Sequence, residues 1–307
     1  MSRDPHSFDP RQRDENSQER DREPSKAAFR SGMDRTQEPP EAPSPNVREP
    51  RALEPERDDS PRAHTLGERT FLLRESELLT IAELGKFRVV AAVDLARFAY
   101  ASDQARMERD VRRLKEQRLV SDRTLPISGR KTLRVLTLTK TGKRILQNTN
   151  RLPEDQSIYH GIVKPREAKH DAELYRLFQI EAARIENSGG RPLRVLLDYE
   201  LKRNLNRDRA GLGKQKGDPQ EIERLAERHD LAVVNGKIPL PDMRIEYETA
   251  EMELRHVDLE LATRHYRPRG VAEKAKAGFS LYSHREDASR LRRILDEQEL
   301  TARILSL

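Results

Sequence analysis

The chain is 307 residues long, room for two folded domains at about 100 to 200 residues each. Only 35% of it is hydrophobic and 36% is charged, against about 45 to 50% and 25% in an average soluble domain, so much of it cannot be packed core. The absence of cysteine excludes disulfides, thiolate zinc sites, iron–sulfur clusters and cysteine nucleophiles. No run approaches the ~18 apolar residues of a membrane span, and the first ten residues carry both signs of charge, so the expectation is a cytoplasmic protein with no membrane partner.

The formal net charge of +6 is mild, but its distribution is not. Residues 1–66 sum to −3, residues 67–150 to +8 and residues 151–307 to +1, which concentrates the positive charge in one segment of 84 residues. Residues 1–66 hold ten of the eighteen prolines and almost no aliphatic side chains, a composition that cannot offset chain entropy by burial, and they read as a disordered tail.

In residues 67–150 the elements come in a telling order. Leu78, Leu79, Ile81, Ala82 and Leu84 lie at helical spacing and stop at Gly85, a residue suited to a helix C-terminus. Val89 and Val90 read as a short strand and residues 94–98 as a second helix. Ser102 or Asp103 can cap a third helix running to about Gln117, on which Met107, Val111 and Leu114 fall within about 60° of one another and form the buried stripe. Arg106, Arg109, Arg112 and Arg113 point the opposite way. Two strands with a basic tip follow, from Leu119 to Leu138, and Thr139 caps a further helix.

That order of three helices and a hairpin is the order of a winged helix-turn-helix. In such a domain the third helix enters the major groove with its first residues on base edges while the wing reaches phosphate or the minor groove. Gln104, Arg106, Arg109, Arg112 and Arg113 are therefore the candidate DNA contacts on the helix, and Arg130 and Lys131 those on the wing. The plain alternative is a solvated charged face, since Glu108, Asp110 and Glu116 are interleaved to pair with the arginines.

Residues 151–165, with Pro153, Gly161 and Pro165, read as a linker. An α/β domain is expected over residues 166–285. It begins with a helix to Asn187 that ends at Ser188-Gly189-Gly190, followed by a strand containing residues 193–197. Residues 203–218 read as a Gly- and Lys-rich loop. Asn235-Gly236 marks a hairpin. Met243, Ile245 and Tyr247 and then Val257, Leu259 and Leu261 alternate with polar residues, which predicts two strands with an apolar face and with Asp242, Asp258 and Glu260 on the other side. Residues 271–282 and 288–305 read as helices, the second forming a C-terminal amphipathic segment within residues 286–307.

Three carboxylates on adjacent strands can hold a hard divalent cation together with water and substrate phosphate, so Mg2+ or Mn2+ at Asp242, Asp258 and Glu260 is the cofactor expectation. Other motifs fail on spacing. Residues 211–217 lack the Ser/Thr of a phosphate-binding loop, and the eight histidines include no HExxH.

The Pro241-Asp242 element, the acid-x-acid element Asp258-Leu259-Glu260 and a helix ending near Tyr282, all following a winged helix, resemble the replication-relaxation family of bacterial plasmid and mobile-element proteins. The resemblance covers about residues 70 to 285. It implies a winged helix joined to a domain of the PD-(D/E)xK nuclease fold, acting on double-stranded DNA in replication, maintenance or mobilisation of a plasmid or other mobile element. The lysine that the nuclease pattern places two residues after its second acid is absent: Glu260 or Ala262 stands there, and Lys274 or Lys276 is the candidate substitute, with Lys274 taken for the catalytic role. Two alternatives stay open: a metal-dependent DNA endonuclease targeted by the winged helix, and a winged-helix transcriptional repressor whose second domain only forms a homodimer or senses a ligand.

Overall fold

The structure, a computed structural model, describes residues 59–128, 131–162, 167–213, 218–263, 266–300 and 304–307. Most of the expected tail, residues 1–58, lies outside them. Its far end does not behave as a tail. Arg62–Leu66 form β1, which pairs antiparallel with β2 (Arg69–Leu73) through a turn at Gly67, whose φ of +61° suits glycine. The boundary expected at residue 66 therefore cuts a hairpin, which composition could not reveal because β1 buries little of itself. The free edge of β2 is closed by one side chain: Gln117 accepts from the Leu72 amide at 3.2 Å and donates to its carbonyl at 3.0 Å.

Three helices follow, α1 (Glu75–Lys86), α2 (Ala92–Ala99) and α3 (Gln104–Glu116), with the two-residue strand β3 (Val90–Ala91) between the first two. Asp103 caps α3 by accepting from the Arg106 amide. Strands β4 (Val120–Ser128) and β5 (Lys131–Leu138) form an antiparallel hairpin, and β3 pairs with the other side of β5. Thr139 caps α4 (Lys140–Gln147) through the Gly142 amide.

Gly85 is not a helix terminus, as the sequence suggested. It lies inside α1, where a Cβ would collide with the Leu146 side chain of α4, so its role is to let the two helices close up. Gly142 has the same role at the start of α4, which abuts the backbone carbonyl of Leu119.

The second half is built on the sheet order β10-β9-β8-β7-β6. Helix α5 (Ala168–Asn187) precedes β6 (Arg191–Leu197), and α6 (Asp198–Gly211) and α7 (Pro219–Arg228) are inserted before β7 (Met243–Glu248). Strand β8 (Leu254–Leu261), α8 (Pro268–Lys276), β9 (Ser280–Ser283), α9 (Arg285–Glu297) and β10 (Ile304–Ser306) complete it. Strands β6, β7 and β8 run antiparallel, while β9 joins β8 and β10 joins β9 in parallel.

Several readings change here. The loop expected over residues 203–218 is mostly helix, α6, with residues 214–217 outside the described set. The Asn235-Gly236 turn forms, but only a single bridge, Val234 to Lys237, flanks it. The helices expected at residues 271–282 and 288–305 end earlier, and each gives way to a strand, β9 and β10. These strands are four and three residues long and are made by the neighbouring strand more than by their own pattern. No helix among the described residues is long and apolar enough to cross a membrane.

The two halves share one core. Phe87 and Phe98 meet the ring of Tyr175 on α5 edge-on at 5.2 and 6.2 Å, and Arg176 donates both Nε and Nη2 to the buried Asp94 carboxylate at 3.0 Å. The expected linker takes part in this packing. Gln156 is buried and clasps the edge of β6, accepting from the Val195 amide and donating to its carbonyl, both at 2.9 Å. Burial of Asp94 raises its pKa against the pull of Arg176.

Candidate nucleic-acid interface and the acidic end of the sheet

Helix α3 is held on three sides. Its apolar stripe, Met107, Val111 and Leu114, is buried. On one flank Arg134 of β5 bridges Glu108 of α3 and Asp122 of β4, bonding Asp122 at 3.1 and 2.8 Å, and Lys115 adds a bond to Asp122 at 3.0 Å. These contacts hold the Asp122 carboxyl below its usual range, the Arg134 hydrogen bond being the largest cause. On the other flank Arg113 donates to Glu77 of α1 at 2.6 Å and pairs with Asp110, which also accepts from the Tyr100 hydroxyl at 3.0 Å.

The arginines of α3 therefore divide. Arg109 and Arg112 are exposed and make no ion pair among the described residues; they lie about 60° apart on the outward face with Ala105. Gln104 is exposed in the first turn. Arg106 is half-buried. Arg113, expected on the solvent side, is instead an internal cation whose two carboxylate partners are nearly inaccessible. Helical angle alone could not separate it, because Arg113 sits on the border between the faces and α1 closes over it. Lys131 is exposed at the start of β5, and Arg130 lies outside the described residues. Arg134 went unnoticed in the sequence because it reads as an ordinary polar position of an alternating strand.

At the other candidate site the strand alternation is as expected: Met243, Ile245, Leu259 and Leu261 are buried on the α5 side. The opposite side is not an open acidic face. In the register Arg244 pairs with Asp258, and its guanidinium takes both Asp258 oxygens at 2.7 and 2.8 Å while donating to the carbonyls of His229 and Asp230. Asp258 is thereby neutralised and separated from the other two acids.

Asp242 and Glu260 do come together. Glu260 is wholly buried beneath α8. It accepts from the Asp242 amide at 3.1 Å, from Tyr266 Oη at 2.5 Å and from Lys274 Nζ at 2.9 Å. Asp242 in turn accepts from the Leu261 amide at 2.9 Å and has His170 Nε2 at 3.4 Å. Sequence spacing missed His170, which reaches this end of the sheet from the first turn of α5. Burial, and next the charge of Asp242, push the Glu260 carboxyl up to about 7 against the pull of Lys274. Burial works against a charge on His170, but hydrogen bonds to Asp171 and Asp242 outweigh it and raise its pKa to about 10.

The residues do not fit a divalent cation. A hard ion needs several free oxygens and keeps water around it. Both Glu260 oxygens are already committed, its side chain has no solvent exposure, and the lysine ammonium occupies the cationic position. Among the described residues no group of three His, Asp or Glu is placed to hold a metal. The expected Asp242, Asp258 and Glu260 trio is thus corrected to an Asp242, Glu260 and Lys274 cluster beside a separate Arg244 and Asp258 pair.

No family model matches the chain, and no curated protein does. Among solved structures, Bacillus subtilis PadR in complex with operator DNA is similar over 50% of this chain and 92% of that chain, at 19% identity and a TM-score of 0.19. A score of that size does not establish a shared fold.

Proposed function

We propose that the chain binds double-stranded DNA as a winged-helix protein of the replication-relaxation type, with α3 in the major groove and the β4–β5 hairpin as its wing. The single observation that carries this reading is the pair Arg109 and Arg112: two exposed arginines without ion-pair partners among the described residues, on a helix fixed to its hairpin by Arg134. Unpaired cations in a basic segment have phosphate as their natural counterion. In the second half the order α5, β6, β7, β8, α8, β9, with three antiparallel strands and a fourth added in parallel, supports a restriction-nuclease-like domain. The closed Glu260 and Lys274 pair favours a binding or assembly role for that domain over cleavage, in the cytoplasmic maintenance or mobilisation of a plasmid or other mobile element.

Fluorescence anisotropy with random and genomic duplexes at several salt concentrations tests the reading. Arg109→Ala with Arg112→Ala should weaken binding and lower the log–log salt slope by about one per lost phosphate contact. Unchanged affinity and slope would refute it. Supercoiled plasmid incubated with Mg2+ or Mn2+ should be bound and remain uncut; nicking that Lys274→Ala abolishes would instead establish the endonuclease.

A further inference from the structure

A cleft of about 670 Å3 lies between α4, residues 150–160 and α6, within the size range of small-molecule sites. None of its lining residues comes from α3 or from the β4–β5 hairpin, so it is separate from the surface assigned to DNA. Its apolar part is Leu146, Leu152 and Ile158, which pack on the shared core. Around these stand three cations: Arg88, from the segment between α1 and β3, Lys143 of α4 and Arg203 of α6.

Their electrostatic situation is unusual in this protein. Nearly every other half-buried cation has a carboxylate, but Lys143 makes no ion pair among the described residues, and neither does the exposed Arg203 across the cleft from it. Of the two carboxylates that also line the cleft, Asp155 is taken by Arg194 at 2.8 Å, leaving only the exposed Glu154. Arg88 is positioned in advance. Its guanidinium lies 3.5 Å from the centroid of the Tyr199 ring, which Tyr159 meets edge-on at 4.9 Å, and the Tyr159 hydroxyl is anchored to Glu200 at 2.7 Å. A guanidinium held over an aromatic face can still turn N–H groups outward, and a guanidinium can bind phosphate oxygens in pairs.

We propose that this cleft binds a phosphorylated small molecule, with Arg88, Lys143 and Arg203 on the phosphate and the Leu146, Leu152 and Ile158 surface beneath the remainder. Lys143 belongs to the α1–α4 half and Arg203 to the sheet half, so the ligand bridges the two. Arg88 is two residues from Val90, which pairs with Leu136 of the hairpin strand β5. Occupancy is therefore linked to the strand that carries Arg134. The ligand could be a nucleoside phosphate or a plain polyphosphate, since both offer the same anionic group.

Isothermal titration of the full chain with ADP, with inorganic pyrophosphate and with adenosine tests this. One or both phosphates should bind with one-to-one stoichiometry and adenosine should not; ADP alone points to a nucleotide, and both alike to the phosphate only. Lys143→Gln with Arg203→Gln, two changes outside the core, should weaken binding at least about tenfold, worth about 1.4 kcal/mol, with an unchanged melting temperature. Arg109→Ala with Arg112→Ala should bind the probe as the unaltered protein does, so this inference stands or falls apart from the DNA reading. It is overturned if neither phosphate binds below about 5 mM, or if the Lys143 and Arg203 changes leave affinity intact. It is overturned too if a DNA duplex displaces the probe competitively and the Lys143 and Arg203 changes weaken DNA binding equally, since the cations would then belong to the DNA surface.

Discussion

Replacing Arg113 with Ala removes the cation between two carboxylates that have almost no access to water: the Glu77 and Asp110 side chains are 1% and 2% exposed. After the change Asp110 keeps the Tyr100 hydroxyl at 3.0 Å, and Glu77 keeps the Arg74 amide at 2.8 Å with the Arg74 guanidinium no closer than 3.9 Å. Breaking a buried pair from one side costs about 3 to 5 kcal/mol, because the remaining charge is left without compensation. Arg113 itself retains 33% exposure, which lets water replace part of the interaction and places the expected cost near the lower end, about 3 kcal/mol. For a body of this size that lowers the melting temperature by roughly 6 to 12 °C. Calorimetry on Arg113→Ala beside Arg109→Ala is the assay, and the exposed Arg109 should cost less than about 0.5 kcal/mol. Adding Glu77→Gln and Asp110→Asn to Arg113→Ala should recover part of the loss, since no uncompensated charge then remains. A cost below about 1 kcal/mol for Arg113→Ala would refute the internal-cation argument.

Glu260 makes stability depend on pH in a defined window. Its folded pKa, about 7, lies above its ordinary 4.5, so the folded state binds more protons between those values and stability falls as pH rises through them. The gap corresponds to a ceiling of about 3 kcal/mol at 1.4 kcal/mol per tenfold change in proton affinity. Glu260→Gln should flatten urea-unfolding free energies between pH 5 and 7, and parallel curves for the two proteins would remove the basis for this claim. His170, raised to about 10, contributes stability that is full below its ordinary 6.5 and fades as pH rises through about 10, so His170→Gln should lose the alkaline part of the profile. Gly142→Ala drives a Cβ into the Leu119 carbonyl and should destabilise by about 1 to 3 kcal/mol, whereas Gly161→Ala, where no atom lies near, is limited to the strain of its positive φ. A protein beginning at Gly67 lacks β1 and the packing of Leu66, and should melt lower than one beginning at Asp59; equal melting temperatures would show that the hairpin adds nothing.

Much of the first half was legible in the residues because its signals are local. The spacing of Met107, Val111 and Leu114, the caps at Asp103 and Thr139 and the alternation along β5 depend on neighbours a few positions away, and the elements they indicate are the ones that form. The same holds for the apolar faces of β7 and β8. What the chain could not announce are choices made between segments far apart. Arg109 and Arg113 are chemically identical and four residues apart on one helix, yet α1 covers only the second, so one is left to face solvent and the other becomes the half-buried counterion of two buried carboxylates. Asp258 and Glu260 share a strand face, but cross-strand register gives the first to Arg244, while the descent of α8 gives the second to Lys274. Residues 280–283 and 304–306 have too few side chains to choose strand over helix and become strands because β8, and then β9, offer unpaired backbone groups beside them. Local periodicity thus determined which residues turn inward. Which charge meets which, and therefore which cations remain for a ligand, was decided only when distant elements closed over one another, since burial and pairing set the cost of every charged group.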